Sequence, residues 1–192
     1  WSKTYHPVAN DQAYGAALDS GNNVYVVGRH GINNAGVSKL TDDGVSEWNR
    51  TYNSSGGNSR AEEIAIDSSD NIYVVGWNND VNWRVMKINT TGHSLWNKTY
   101  NLSGYPFTVG IDTLDNIYVG GYTNVSAEED WHVMKIDVNG LSLWNRTYDI
   151  IGKSIINEIL IDGINRIYLI GVQQSNDWRT QEIDIDGNSI LN

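Results

Sequence analysis

The chain has 192 residues, a formal net charge of −10 and no cysteine. The length suffices for one domain with a substantial core, and the absence of cysteine excludes disulfides, thiolate metal sites and a cysteine nucleophile. The acidic balance disfavours nucleic acid as a partner because it repels phosphates, and no apolar run is long enough for a membrane-spanning helix.

The chain begins with a pentapeptide at 1–5 whose pattern returns at Trp48 and then every 48 residues. The later copies are Trp48–Tyr52, Trp96–Tyr100 and Trp144–Tyr148. An Asp followed by a polar turn and an apolar run ending in Gly recurs at Asp19–Gly28, Asp67–Gly76, Asp112–Gly121 and Asp162–Gly171. A hairpin motif recurs at Lys39–Gly44, Lys87–Gly92, Lys135–Gly140 and, degenerate, at Glu182–Gly187. These motifs keep one order, which indicates four copies of one structural unit.

The second copy shows the strands of the unit most clearly. Residues 61–66 predict a first strand, and the polar segment 68–71 predicts a turn. Ile72–Val75 is apolar at every position, as in a strand buried on both faces. Residues 83–88 and 94–100 predict a third and a fourth strand.

Four antiparallel strands in each unit of about 48 residues are typical of a propeller blade. A β-sandwich also has short, evenly spaced strands, but it does not require one unit to recur. We therefore predict an all-β fold, a β-propeller of four four-stranded antiparallel blades forming one domain over residues 1–192. The first strand of each blade is expected nearest the axis and the pentapeptide strand outermost. The blades are expected at 6–52, 53–100, 101–148 and 149–192.

The chain resembles the bacterial and archaeal repeat family known as the seven-bladed β-propeller repeat. The resemblance lies in Asp67–Gly76 (DSSDNIYVVG), Lys87–Gly92 (KINTTG) and Leu95–Tyr100 (LWNKTY), and it extends over nearly the whole chain. It implies an extracellular or cell-surface protein and carries over no catalytic residue. Four copies are present instead of seven, so the number of blades in the assembled ring stays open.

The last copy ends two residues into its pentapeptide, and residues 1–5 match the missing part. We predict Trp1, Lys3 and Tyr5 as a closing or donated outer strand, because an unfinished edge strand is a liability. The accepting strand is predicted at Thr180, Glu182 and Asp184. Closure within one chain gives a four-bladed ring, whereas donation to a neighbouring copy gives a larger ring or a filament.

No catalytic or metal-binding pattern stands out, and the four histidines fall at unrelated positions of the repeat. Glu62, Glu63 and Glu158 lie on predicted innermost strands, where paired carboxylates can act as acid and base or bind a cation. Water-facing channel residues are the interpretation we favour. Asp184–Asn188 resembles part of a calcium loop but lacks the distal Glu and aligns with ordinary turns. We expect no enzyme activity and no cofactor, with calcium at this loop kept as a minor alternative.

Aromatic residues offer two candidate contact sets for a sugar or a protein partner. Trp83, Trp131 and Trp178 begin the third strands, where they either stack on sugars or pack between blades, and packing is the interpretation we favour. Trp77 and Tyr122 fall in predicted loops and are further candidates.

Seven Asn-X-Ser/Thr sequons are candidate N-glycosylation sites. They are Asn49, Asn53, Asn89, Asn97, Asn101, Asn124 and Asn145. We expect a non-catalytic extracellular structural protein, a subunit of a cell-surface filament, sheath or surface layer that assembles with itself by exchange of edge strands. The alternative is a cell-surface propeller module that binds carbohydrate or protein, and a propeller enzyme rests on analogy of fold alone.

Overall fold

A computed structural model of the chain describes residues 1–2, 4, 10–52, 58–78, 82–124, 129–148, 152–173 and 177–190. In these residues the regular secondary structure is entirely β. The strands are β1 Gln12–Leu18, β2 Val24–His30, β3 Asn34–Leu40, β4 Ser46–Tyr52, β5 Ser59–Ile66, β6 Ile72–Asn78, β7 Asn82–Ile88, β8 Ser94–Ile111, β9 Ile117–Thr123, β10 Asp130–Ile136, β11 Ser142–Tyr148, β12 Ser154–Ile161, β13 Ile167–Gln173 and β14 Trp178–Ile183.

The strands pair antiparallel with their neighbours in sequence and form sheets of four, seven and three strands. The four repeat units are called sheet A (β1–β4), sheet B (β5–β7 and residues 94–103), sheet C (residues 104–111 and β9–β11) and sheet D (β12–β14). The antiparallel all-β prediction is confirmed. Four separate four-stranded blades are not observed, because β8 runs unbroken from sheet B into sheet C and sheet D has three strands.

Each sheet packs face to face on the next. The front of sheet A contributes Tyr25, Val27, Ala35 and Val37, which pack on Ile72, Val74, Met86 and Ile88 of the back of sheet B. The same front-to-back packing joins B to C and C to D. Residues 72–75 are buried on both faces of β6, as the apolar run predicts.

The recurring Asp is a structural residue of the turn between the first two strands. Asp67 Oδ1 accepts hydrogen bonds from the amides of Ser69 at 3.0 Å and Asn71 at 2.8 Å. Its Oδ2 accepts from Asn71 Nδ2 at 2.9 Å and from the Tyr73 hydroxyl at 3.1 Å. Asp19 and Asp112 make the same set of bonds. The buried carboxylate therefore meets the demand that buried polar groups be hydrogen-bonded.

The same turns also bond one sheet to the next. The donor is the side chain of the residue that directly follows the recurring Asp. The acceptor is a side chain of the next sheet, three positions after the recurring Asp of that sheet. The pairs are Ser20 Oγ to Asp70 Oδ2 at 2.6 Å, Ser68 Oγ to Asp115 Oδ2 at 2.7 Å and Thr113 Oγ1 to Asn165 Oδ1 at 3.0 Å. The acceptors have φ near +60°, which Asp and Asn tolerate better than most residues. Asn22 of sheet A and Gly163 of sheet D hold these positions at the two ends of the array.

The array of sheets does not close on itself. Inter-sheet packing in the described residues joins A to B, B to C and C to D, and sheets A and D share no comparable interface. If each step turned the array through a quarter of a circle, sheet D would meet sheet A. Closure within one chain into a four-bladed ring, one of the two outcomes that the sequence left open, is therefore not observed in the described part of the chain, because the three front-to-back steps from A to D do not bring sheet D onto sheet A.

Candidate functional site

The Trp of each pentapeptide caps the hairpin turn of the following sheet. The indole Nε1 donates to a turn carbonyl 3.1 Å away in three cases, Trp48 to Thr90, Trp96 to Val138 and Trp144 to Ile185. The Tyr four residues later donates to the carbonyl of the turn glycine, as Tyr52 does to Gly92 at 2.7 Å. The outer strand of one sheet is thus anchored to the next sheet along the chain.

Trp1 makes the same contact with sheet A. Its Nε1 donates to the carbonyl of Asp42 at 2.7 Å. Its ring lies against Gly44, where a Cβ would come within 2.6 Å of the indole and where φ is +78°. Trp1 therefore stands where the outer strand of a sheet preceding sheet A would place its Trp. Lys3 and Tyr5, the other predicted residues of this strand, lie outside the described residues.

The outer edge of β14 is paired over only a short length. Beyond β13, its described partners are Ser189, which bridges Ile183, and Ile190, whose amide donates to the Glu182 carbonyl at 3.0 Å. In sheets A to C the corresponding edge pairs with the pentapeptide strand, with a Lys opposite the Trp. Transfer of that register places Trp1 opposite Glu182 and Lys3 opposite Thr180.

Asp184 does not belong to this edge. It follows the end of β14 at Ile183, and its Oδ1 accepts from the amides of Asp186 at 2.9 Å and Asn188 at 2.8 Å. The prediction of Asp184 as an acceptor-strand residue is therefore corrected, because its carboxylate closes a turn. The same turn accounts for the resemblance to a calcium loop. In the described residues no group of three or more His, Cys, Asp or Glu side chains is arranged to hold a metal ion.

Two grooves lie on the sheet faces that end the array. The first, on the back of sheet A, has a volume of about 310 Å³ and includes Ala13, Val26, Arg29, Ser38 and Leu40 in its lining. The second, along β14 of sheet D, has a volume of about 410 Å³. Its lining includes Tyr168, Arg179, Thr180, Gln181, Glu182 and Ile190. In the described part of the chain, both grooves are on faces that no other sheet covers.

The tryptophans that begin the third strands occupy two different environments. Trp83 and Trp131 are fully buried between sheets, and each Nε1 donates to a carbonyl of the next sheet, Tyr122 at 3.3 Å and Val172 at 3.4 Å. A buried indole presents no face to a sugar, so these two residues pack the core. Trp178 holds the same repeat position on sheet D and is 81% exposed.

Trp77 and Tyr122 meet through a ring that sequence reasoning missed. Tyr105 contacts Trp77 with ring centroids 5.1 Å apart and Tyr122 with centroids 5.6 Å apart. Both residues are on strands, at the ends of β6 and β9, instead of in the predicted loops. Within one sheet, Arg60 pairs with Trp77 and Tyr105 pairs with Tyr122 across neighbouring strands. The 48-residue spacing carries no information on contacts between neighbouring repeats, so the cluster could not be predicted from it.

A buried carboxylate extends this cluster. Glu62 Oε1 accepts from Trp77 Nε1 at 2.6 Å and lies 2.8 Å from Arg60 Nε. The Arg60 guanidinium in turn lies 3.8 Å from the ring centre of Tyr14. The cluster of Tyr14, Arg60, Glu62, Trp77, Tyr105 and Tyr122 is called the aromatic rim. Burial raises the pKa of Glu62, although the bonds from Trp77 and Arg60 act in the opposite direction.

The predicted axial carboxylates are separated by a β-bulge. The pairing of β5 with β6 shifts between Ala61 and Glu63, so Glu62 is the extra residue and joins the aromatic rim. Burial raises the pKa of Glu63, the amide of Ile64 opposes that shift, and the charge of Glu158 adds to it. Glu63 and Glu158 thus interact with each other, but Glu62 is engaged elsewhere.

Five of the candidate glycosylation sites lie on exposed parts of the sheets. Asn49, Asn97 and Asn145 hold one position on three outer strands, and Asn101 and Asn124 are exposed as well. Asn89 is half-buried, and its Oδ1 accepts from amides of its own turn. Asn53 lies outside the described residues.

The comparisons with known proteins agree with this architecture. The sequence profile of the family described as "SBBP: Beta-propeller repeat" matches residues 102–126, which span the end of β8 and all of β9. Residues 102–126 are thus similar to a β-propeller repeat. No curated protein sequence matches the chain. No helix in the described residues is long and apolar enough to cross a membrane.

Several solved structures share the fold of this chain at low sequence identity. A protein of unknown function from Bacteroides caccae has a TM-score of 0.59 at 13% identity, over 95% of this chain and 64% of that one. The Pan2 WD40 domain of Neurospora crassa has a TM-score of 0.69 at 12% identity, over 97% and 51%. PorZ of Porphyromonas gingivalis, a surface component of the type-IX secretion system, has a TM-score of 0.60 at 9% identity, over 94% and 27%. The chain therefore spans only part of the length of each, and other similar structures belong to enzymes.

Proposed function

We propose that this chain is a non-catalytic structural protein of the cell surface that assembles head to tail. In this assembly the strand at 1–5 of one copy completes sheet D of the next copy. Repetition of that contact builds a filament, a sheath or a surface layer when the rotation between copies does not close.

The observation that carries the proposal is the position of Trp1. Its indole contacts Asp42 and Gly44 as three other outer-strand tryptophans contact their turns, which is the position that an outer strand of a preceding sheet would give its Trp. Sheet D is the sheet whose outer edge is left largely unpaired among the described residues. Pairing along an exposed strand edge is a known mode of recognition between chains.

The cell-surface part of the proposal has separate support. PorZ, a surface component, has a similar fold, and five candidate glycosylation sites are exposed. The net charge of −10 suits a protein that must stay soluble before it assembles.

Deletion of residues 1–5 is expected to abolish assembly, because it removes the donated strand and its anchoring indole. Sedimentation velocity should show the full chain in species larger than its monomer mass of 21.5 kDa and the deletion variant as a monomer, slightly lighter than that mass. Ile32→Ala, which alters a 70% exposed side chain of sheet A, is the matched control and should assemble normally. Assembly of the deletion variant at the level of the full chain would contradict the proposal.

A binding module is the second candidate function, and the aromatic rim favours it. Tyr105 and Trp77 are partly exposed beside a charged pair, a combination suited to the apolar faces and hydroxyls of a sugar. A chain that stays monomeric and binds a soluble oligosaccharide, with Trp77→Ala removing that binding, would favour this function over assembly.

A further inference from the structure

We infer that neighbouring copies join by packing the front of sheet D on the back of sheet A, with Trp178 of one copy seated in the sheet A groove of the other. This inference rests on the proposed head-to-tail assembly and identifies the second surface that such an assembly uses. The occupant of both open faces is thus a second copy of this chain.

The interfaces inside the chain supply the template. Trp83 and Trp131 stand at the position of Trp178 and are fully buried by the following sheet, whereas Trp178 is 81% exposed. Each buried indole donates to the carbonyl of the residue that follows the second-strand glycine in the next sheet. In sheet A that residue is Arg29, which lines the groove. The Trp178 indole is therefore expected to donate to the Arg29 carbonyl of the neighbouring copy.

The back of sheet A has smaller side chains than the back of sheet C. Ala13, Ala16 and Ser38 stand where sheet C has Pro106, Val109 and Met134. The resulting volume of about 310 Å³ accommodates an indole.

The turns at the two ends also match each other. In each internal interface, the amide of the residue after the recurring Asp donates to a side-chain oxygen of the next sheet. The distances are 2.8 Å for Ser20 to Asp70, 3.1 Å for Ser68 to Asp115 and 3.0 Å for Thr113 to Asn165. Gly163 and Asn22 hold the donor and acceptor positions at the open ends. The Gly163 amide can therefore donate to Asn22 Oδ1 across the interface.

One internal contact is not reproduced between copies. Lys87 and Lys135 donate to turn carbonyls of the next sheet at 3.5 and 3.2 Å, but Glu182 stands at their position in sheet D. The equivalent carbonyl of sheet A is that of Asp42, and a carboxylate cannot donate to it. The interface between copies is accordingly weaker than those within the chain, which allows it to be strengthened by one substitution.

The test compares three variants by sedimentation velocity over a concentration series. Trp178→Ala should weaken association by about 30-fold or more, as for a buried aromatic anchor. Glu182→Lys should tighten it by about 3- to 10-fold, because it restores one hydrogen bond. Ile164→Ala, which alters a 74% exposed side chain in a turn of sheet D, should leave association unchanged.

The outcomes separate this inference from the proposed function. A full chain that remains monomeric at every concentration overturns both. Assembly that disappears on deletion of residues 1–5 but is unaffected by Trp178→Ala overturns this inference and leaves strand donation in place. Weakening by Trp178→Ala together with tightening by Glu182→Lys supports the interface.

Discussion

Replacement of Trp83 by alanine is expected to lower the free energy of unfolding by about 3–5 kcal/mol, because it removes a fully buried indole from the contact between sheets B and C. The ring packs in the cluster that contains Val75, Val109 and Met134. Its loss leaves a cavity and also leaves the Tyr122 carbonyl without its indole donor.

Trp178→Ala is the matched control, because it makes the same substitution at the same repeat position on an open face. Measured on dilute, monomeric protein, it should change the free energy of unfolding by no more than about 0.5 kcal/mol. Urea unfolding followed by circular dichroism measures both variants. Equal destabilisation by the two substitutions would show that the repeat position, and not coverage by the next sheet, decides the contribution of the indole.

Acidification is expected to destabilise the fold through His132, by about 3 kcal/mol between pH 6.5 and pH 4. The imidazole is buried, its Nδ1 is 2.9 Å from Thr147 Oγ1, and its Nε2 has no partner among the described residues. Burial lowers its pKa to about 4, whereas an unfolded histidine titrates near pH 6.5. Above pH 6.5 the residue is neutral in both states. As the pH falls the unfolded state takes up the proton first, so stability is lost until the folded state is protonated as well.

His132→Gln removes the histidine whose protonation destabilises the fold, and it keeps a side chain that can hydrogen-bond to Thr147. The free energy of unfolding of the wild type should therefore fall by about 3 kcal/mol more than that of the variant between pH 7 and pH 4. His93→Gln, at an exposed turn, is the control and should follow the wild type. Parallel pH profiles for the wild type and His132→Gln would refute the assignment.

Much of the fold follows from features that lie within a single repeat. The apolar run at 72–75 predicts a strand buried on both faces, and the Asp67 turn forms because its donors lie two and four residues away in sequence. Such short-range chemistry can be read from the sequence, since each unit contains all the groups involved.

Features that depend on a neighbouring sheet could not be predicted in this way. Trp83 and Trp178 hold identical repeat positions, yet one is buried and the other is exposed, because among the described residues sheet B is followed by another sheet and sheet D is not. The bulge that turns Glu62 away from Glu63 and the unbroken course of β8 are backbone features with no residue signature in the 48-residue pattern. The aromatic rim was missed for the same reason, since its rings come from three sheets.

The choice between closure within one chain and donation to a neighbouring copy stayed open for a similar reason. The match between residues 1–5 and the unfinished fourth copy indicates which strands belong together, but it carries no information on the angle between successive sheets. That angle is set by side-chain volume at each front-to-back contact. The open array makes the contact between sheet D of one copy and sheet A of another the central claim of this account.

A disulfide test addresses that claim most directly, because the chain has no cysteine of its own. Asn22→Cys and Gly163→Cys place thiols at the ends of the array. The internal equivalents of these two positions are joined by side-chain hydrogen bonds with oxygen-to-oxygen distances of 2.6–3.0 Å. Ser68→Cys with Asp115→Cys in one chain is the positive control for geometry and oxidation. Equal amounts of the two single-cysteine chains are mixed, oxidised and separated on a non-reducing gel.

We expect a covalent dimer from the mixture of Asn22→Cys and Gly163→Cys chains, formed as readily as the control disulfide. A chain with both substitutions should then give a dimer if two copies close a ring, or a ladder of multimers if they form a filament. Failure of the mixture to cross-link while the control pair oxidises, or a double variant that forms its disulfide only within a single chain, would contradict the account.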